Sequence, residues 1–350
     1  MCEDLSCDFY FGQPFGEISK IKTLPVSFFT THAELLNNVQ IPIVNGYWQK
    51  GVLRLLKKYD TYIMLGDIKC FSTWLFMILN ALFFHKKICL WGHGWYGRES
   101  RSKKILKKLF FSLSDSIMVY GDRAKKMMMQ EGINAAKIFT VHNSLDYDRQ
   151  LEVIEHMPSN NPIQEHFKNH YPTIIFSGRL TARKRIDMLI EAISELRKEN
   201  IIANCVLIGD GTEKQKLELL VKEHGLSEHF WFYGACYDES IIGSLYWNST
   251  VCVSPEALGL TAIHSLTYGC PVITHNHLAY QGPEVESVIP KITGEFYIYN
   301  DFDSLKETIK KWILIPSMDK KIVREKCQAI IKESWTPDYQ INVIKQAITY

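Results

Sequence analysis

From Thr173 onward the chain alternates short apolar runs with stretches of helical periodicity. The runs at 173–176, 204–208, 230–233, 250–253 and 271–274 have the length of buried strands. Between them, 185–198 places Ile186, Leu189, Ile190, Ile193 and Leu196 on one helical face, and 213–223 and 260–268 read the same way. This repetition predicts an α/β architecture: a parallel sheet with helices on both faces, a Rossmann-like domain. The first half repeats the theme less cleanly. Its candidate strands are 7–11, 26–30, 62–65, 88–91, 117–120 and 138–141, with helices at 47–58, 70–84, 100–113 and 122–130. Between the halves, 143–171 is rich in Asp, Asn, Pro and His with weak periodicity and reads as a linker. The expected division is an N-terminal Rossmann-like domain over 1–150, a linker at 151–171, a C-terminal Rossmann-like domain over 172–330, and a helix at 331–350 packing back on the N-terminal domain. Two such domains facing each other make a cleft, with ligands at the carboxyl ends of the strands.

Composition narrows the class. Of 350 residues, 46% are hydrophobic, 22% charged and 12% aromatic, which suits a large buried core and excludes disordered, collagen-like and coiled-coil chains. A formal charge of +2 argues against a dedicated nucleic-acid binder. The nine cysteines include no C-x-x-C pair, so neither a disulfide scaffold nor a structural zinc site is expected. The opening segment MCEDLSCDFYF carries acids and lacks a secretory signal pattern. The longest apolar stretch, 70–84, is about 15 residues and too short to span a bilayer. A reducing cytoplasm is the expected setting.

Three segments carry candidate chemistry. In Phe176-Ser-Gly-Arg-Leu-Thr-Ala-Arg-Lys-Arg-Ile-Asp187 a strand ends, Gly178 turns the backbone, and Arg179 and Lys184 sit beside a helix start. Guanidinium, ammonium and unpaired N–H groups together favour a phosphate, although a solvated basic turn explains these residues equally well. In Val206-Leu-Ile-Gly-Asp-Gly-Thr-Glu213, Gly209 and Gly211 suit close backbone approach by a ligand, a weak signal alone. The third runs from Ser254 to Thr274: Glu256 lies at a strand's carboxyl edge, followed by Gly259, Leu260, Thr261 and, further on, His264.

In this order and spacing the segments resemble the donor-binding domain of family 4 glycosyltransferases, which have the two-domain GT-B fold. The family pattern of Gly-Arg-Leu followed shortly by Lys matches Gly178, Arg179, Leu180 and Lys184, and its Glu-x7-Glu motif matches Glu256 at the first position. The resemblance covers 173–313 strongly and 91–146 moderately. It implies that Arg179 and Lys184 hold a donor diphosphate, that Glu256 contacts the donor sugar in a catalytic position, and that Gly259, Leu260 and Thr261 face the phosphates. The second Glu, which in the family holds the nucleotide ribose, is replaced by His264. A neutral imidazole makes one hydrogen bond there and cannot grip two hydroxyls as a carboxylate does. That implies either a different nucleotide sugar or weaker donor binding. The implied activity is retaining transfer of a sugar from a nucleotide diphosphate to a saccharide or lipid-linked acceptor in polysaccharide biosynthesis, with no metal or redox cofactor. A catalytically impaired binding or partner protein and a GT-B nucleotide-sugar epimerase are the alternatives.

The remaining motifs are weaker. Gly92-His-Gly-Trp-Tyr-Gly97 fits G-x-G-x-x-G, but it is not in the first strand–helix unit and Trp95 and Tyr96 crowd the turn. The family often places a cleft histidine after this strand, so the resemblance makes His93 a substrate-contacting or catalytic residue. The run Arg98–Lys108 holds six basic residues and one acid, followed by Leu109, Phe110 and Phe111. Such a helix at 98–111 suits peripheral contact with an anionic membrane, or equally a solvated surface. The Asp-x-Asp strings at 146–148 and 301–303 read as structural, and His275-Asn-His277 is too isolated for a metal site. Finally, MCEDLSCDFYFGQPFG looks like the family's second strand, so the first is expected to be missing, with acceptor binding affected.

Overall fold

The computed structural model describes residues 5–13 and 25–350; Cys2 and positions 14–16 of the opening segment lie outside them. The chain forms two compact units, Met1–His142 with Asp338–Tyr350, and Asn143–Pro337.

In the first unit β1 (Phe9–Gly12) pairs in parallel with β2 (Ala33–Leu36), and β3 (Asn38–Ile41) forms an antiparallel hairpin with β4 (Gly46–Gln49). Then β5 (Thr61–Leu65), β6 (Lys87–Gly92), β7 (Ser116–Val119) and β8 (Ile138–Thr140) make a four-stranded parallel sheet in that order. Helices α1 (Phe71–Leu79), α2 (Arg101–Ser112) and α3 (Asp122–Gln130) connect them. Successive residues of β6 serve opposite faces: Ile88 and Leu90 pack with Phe76 and Phe110, while Cys89 packs with Met118.

Two expected elements of this unit are corrected. The run 26–30 is not a strand: Val26–Phe28 forms a single 3-10 turn behind Pro25, and Phe29 instead lays its ring against Phe9 and Phe11 of β1. The expected helix at 47–58 is divided, because Tyr47 and Trp48 belong to β4 and Gly51 turns the chain at φ +87° before a 3-10 turn begins at Val52. A left-handed glycine cannot sit inside a helix without breaking it.

The second unit begins in the stretch expected as a linker, which in fact contains α4 (Tyr147–Glu155) and α5 (Pro162–Phe167). The residues that gave it a linker-like composition are helix caps. Asp146 accepts the Arg149 N–H; Asn161 accepts those of Ile163 and Gln164, with Pro162 in the first turn. Val153 and Ile163 are buried in the core.

The sheet of this unit has six strands: β9 (Thr173–Ser177), β10 (Asn204–Ile208), β11 (Phe230–Gly234), β12 (Val251–Val253), β13 (Val272–His275) and β14 (Gly294–Tyr297). All neighbours run parallel, in the order β11-β10-β9-β12-β13-β14. Ile174, Phe176, Cys205 and Leu207 point to one face, with α6 (Ile186–Lys198) and α7 (Lys214–Glu223). Ile175, Val206, Ile208 and Cys252 point to the other, with α8 (Glu239–Trp247) and α9 (Thr261–Thr267). Helix α10 (Phe302–Ile313) completes the first face and α11 (Ser317–Ser334) the second. Burial on both faces explains why these strands are unbroken apolar runs. Last, α12 (Pro337–Thr349) buries Val343, Ile344 and Ala347 against Cys89, Met118 and Val141 of the first unit.

One topological fact positions the site. Strand order reverses at β9: β10 lies on one side of it and β12 on the other. The crossover connections leave in opposite directions there, and the loops after β9 and β12 splay apart at the carboxyl edge.

Candidate functional site

The loop after β9 is fixed by the loop after β10. Gly178 N–H donates to Ile208 O at 2.9 Å, Leu180 N–H to Asp210 O at 2.9 Å, and Glu213 N–H to Leu180 O at 3.0 Å. The contact is so close that a Cβ on Gly209 would stand 1.9 Å from Gly178 O, and one on Gly211 would stand 2.2 Å from Leu180 O. These two glycines were expected to admit a ligand; the neighbour they admit is the backbone carrying Arg179. That backbone leaves Arg179 exposed and turns Lys184 inward. Burial, reinforced by Arg183 and Arg179, lowers the Lys184 pKa.

Lys184 points at the loop after β12. Its Nζ donates to Ala257 O at 2.8 Å. The whole loop is held in this way, by side chains acting on its backbone. Tyr297 donates its hydroxyl to Pro255 O. Ser254 and Thr274 hydroxyls donate to Glu256 O at 3.0 and 3.3 Å. Leu258 N–H donates to Gln281 Oε1 at 2.8 Å, and Gln281 Nε2 reaches back to Thr274 Oγ1 at 2.9 Å and His275 O at 3.1 Å. Ser254, Thr274, Gln281 and Tyr297 are all buried. The Glu256 side chain remains 17% exposed, with His275 Nε2 4.0 Å from its Oε2.

Beyond the loop, a Cβ on Gly259 would have no atom within 4 Å, and Leu260 is exposed. Thr261 donates its hydroxyl to Ser177 O at 3.3 Å, tying the start of α9 to the end of β9. His264 is not isolated. Its Nε2 lies 2.8 Å from Oε1 of Glu239, at the start of α8. The same oxygen accepts from Tyr268 at 2.7 Å and Gln150 at 3.1 Å. Burial opposes ionisation of Glu239, yet the hydrogen bonds from His264, Tyr268 and Gln150 outweigh it and hold the carboxyl at about 2. A carboxylate thus stands beside the position where the motif lacks one. Sequence reasoning missed it because Glu239 lies 25 residues upstream of His264.

His93 belongs to the first unit, in the exposed loop after β6. Its ring stacks near Tyr96 and Tyr120, with centroids at 5.4 and 4.9 Å. Those surroundings and the Lys107 ammonium lower its pKa. Glu99 organises the loop, accepting N–H groups of Tyr96 and Gly97 and the Lys107 Nζ at 2.7 Å. Lys107 also donates to Gly94 O at 2.5 Å. The basic run 98–108 therefore does not lie wholly in solvent, since Lys107 is buried in an ion pair. Phe110 and Phe111, expected on its outer apolar face, are core residues; Ile105, Leu106 and Leu109 are the exposed ones.

The Asp-x-Asp strings cap helices: Asp146 caps α4, and Asp301 caps α10 by accepting the Ser304 N–H at 2.9 Å. The eight described cysteines are free thiols. No described helix is long and apolar enough to cross a membrane.

Residues 159–329 match the family Glycosyl transferases group 1. A catalogued relative from Arabidopsis thaliana, one component of phosphatidylinositol N-acetylglucosaminyltransferase, is 23% identical over 264 residues, covering 70% of this chain and 57% of the relative. The chain thus spans somewhat over half of that protein's length. Among solved structures, a glycosyltransferase from Rickettsia africae superposes with a TM-score of 0.76 at 19% identity, covering 99% of this chain and 91% of that one. Anabaena HepE, solved in complex with UDP, superposes with a TM-score of 0.71 at 14% identity, covering 98% and 100%. The fold is GT-B, with two Rossmann-like domains, and the segment that matches the group 1 glycosyltransferases, 159–329, contains Arg179, Lys184 and Glu256.

The buried His275 yields a pH prediction. Burial, with His277 nearby, pushes its pKa from 6.5 down to about 4. Between those values the unfolded chain binds a proton that the folded chain refuses, so stability falls as pH drops through this window and this loss is complete below pH 4. The contribution is about 3 kcal/mol. Chemical denaturation from pH 7 to 4 should show that loss, and His275→Gln should flatten it. An unchanged slope in the variant would contradict a neutral, buried His275.

Proposed function

We propose that the chain is a retaining family 4 glycosyltransferase that moves a sugar from a nucleotide diphosphate to a hydroxyl of a saccharide or lipid-linked saccharide. The observation that carries this reading is the meeting, at the β9/β12 reversal, of an exposed Arg179, an inward Lys184 and a Glu256 on a braced backbone. Cleavage of the anomeric bond develops oxocarbenium character on the sugar and negative charge on the leaving diphosphate. Arg179 and Lys184 are cations at that edge, where developing charge is most effectively stabilised. Glu256 orients the sugar. Gly259, Leu260 and Thr261 face the phosphates. His264, backed by Glu239, meets the ribose, and His93 is a substrate-contacting residue. Charge on the leaving group is balanced by side chains in this reading, which calls for no metal or redox cofactor.

The acceptor in this reading is a growing surface polysaccharide on a lipid carrier, at the cytoplasmic face of a membrane. Two observations support it. The Arabidopsis relative is named for transfer to phosphatidylinositol. Helix α2 exposes Ile105, Leu106 and Leu109 among Arg101, Lys103 and Lys108, a pattern suited to lying on anionic lipid.

Calorimetric titration with UDP, GDP, dTDP and CMP tests the donor site. One nucleotide should bind selectively, and Arg179→Ala should weaken it by about 2 kcal/mol, as loss of a charged hydrogen bond does. Binding unchanged by the substitution would overturn the assignment. For the membrane surface, sedimentation with phosphatidylglycerol vesicles should deplete the protein from solution, phosphatidylcholine vesicles should not, and the pair Lys103→Glu and Lys108→Glu should abolish the difference. Equal sedimentation with both lipids would contradict the role of α2.

A further inference from the structure

His275 ends β13 with its side chain wholly buried. The backbone N–H of His277 donates to its Nδ1 at 3.1 Å. An imidazole whose Nδ1 accepts a hydrogen bond while the ring is neutral carries its proton on Nε2. That Nε2–H is therefore a committed donor, and among the described residues it has no hydrogen-bond partner. It lies 4.0 Å from Oε2 of Glu256, just beyond hydrogen-bond reach. The ring is flanked by aromatic neighbours. Tyr299 and Tyr297 lie at 4.6 and 6.3 Å between centroids, and Gln281 Nε2 fixes its backbone carbonyl. A buried N–H left unpaired costs stability, so its retention beside a functional carboxylate calls for a reason. Glu256 is the nearby acceptor: its backbone is braced, and its partly exposed side chain needs to close only the last part of a 4.0 Å gap to Nε2.

We propose that His275 is a positioning residue whose Nε2–H takes one oxygen of the Glu256 carboxylate when donor binds, leaving the other oxygen aimed at a hydroxyl of the donor sugar. The inference rests on the reading of Glu256 as the sugar contact and deepens it. It also gives His275 a role that is neither metal ligation nor packing. A packing residue here would be served as well by an apolar side chain of the same volume. A positioning residue would not, and its loss would fall on the sugar alone.

The experiment compares affinities for nucleoside diphosphates with those for their sugars, using UDP and UDP-glucose, GDP and GDP-mannose, and dTDP and dTDP-glucose, by calorimetry on the full chain. For the pair that the wild type binds, His275→Met should weaken the sugar nucleotide by about tenfold relative to the bare diphosphate. His275→Gln, which keeps an N–H donor, should restore the wild-type ratio. In a Glu256→Ala background, which removes the acceptor, His275→Met should add no further loss, because the two side chains act as one unit. If His275→Met does not fold, His275→Asn, whose amide stops short of Glu256, takes its place with the same expected loss. An unchanged ratio, a loss shared equally by diphosphate and sugar nucleotide, or additive losses with Glu256→Ala would each overturn the proposal while leaving the donor site standing. A wild-type chain that binds none of the six nucleotides would overturn the donor site and this inference together.

Discussion

The site depends on how the backbone between Ser254 and Leu258 is held. This loop leaves β12 at the carboxyl edge, where the strand ladder ends with Ser254 N–H on Ile273 O. The carbonyls of Pro255, Glu256 and Ala257 and the N–H of Leu258 are bound instead by Tyr297, Ser254, Thr274, Lys184 and Gln281. Buried peptide groups must find partners, and a loop whose partners come from several separate elements cannot drift without breaking several hydrogen bonds at once. Glu256 therefore projects from a fixed base, and what freedom it has belongs to its side chain. Preorganisation of this kind suits a group that must meet charge as it develops.

The bracing also links the two sides of the strand reversal. Lys184 comes from the β9 side and reaches across to the β12 loop, so the cation proposed for a diphosphate and the carboxylate proposed for a sugar share one structural support. The β9 loop is itself seated on the β10 loop through Gly209 and Gly211, whose missing side chains let two backbones touch. Near the start of α9, the His264–Glu239 contact returns a carboxylate to a motif that has lost one, from a neighbouring helix and under hydrogen bonds that keep it ionised.

Much of this was legible in the sequence, and the rest was hidden for identifiable reasons. The parallel sheet of the second unit could be read because burial on both faces writes strands as plain apolar runs, and Arg179, Lys184 and Glu256 stood where strands end. Helices α4 and α5 read as linker because Asp146, Asn161 and Pro162 serve caps and loops alike. Gln281, Thr274 and Tyr297 gave no signal, since a residue that binds a distant backbone leaves no spacing to recognise. Glu239 was invisible for the same reason. Lys107 and Phe110 were misplaced because charge and apolarity along a helix do not say which side meets a loop such as the one Glu99 organises.

Amide hydrogen exchange at Leu258 in the nucleotide-free protein tests the bracing most directly. If the loop is preorganised by buried side chains, this N–H should exchange only with the global unfolding of its unit, as slowly as the amides of β9, whether or not a nucleoside diphosphate is present. Exchange at the rate of an open loop, slowing only when nucleotide is added, would show that ligand and not the fold shapes the site, and would contradict the account.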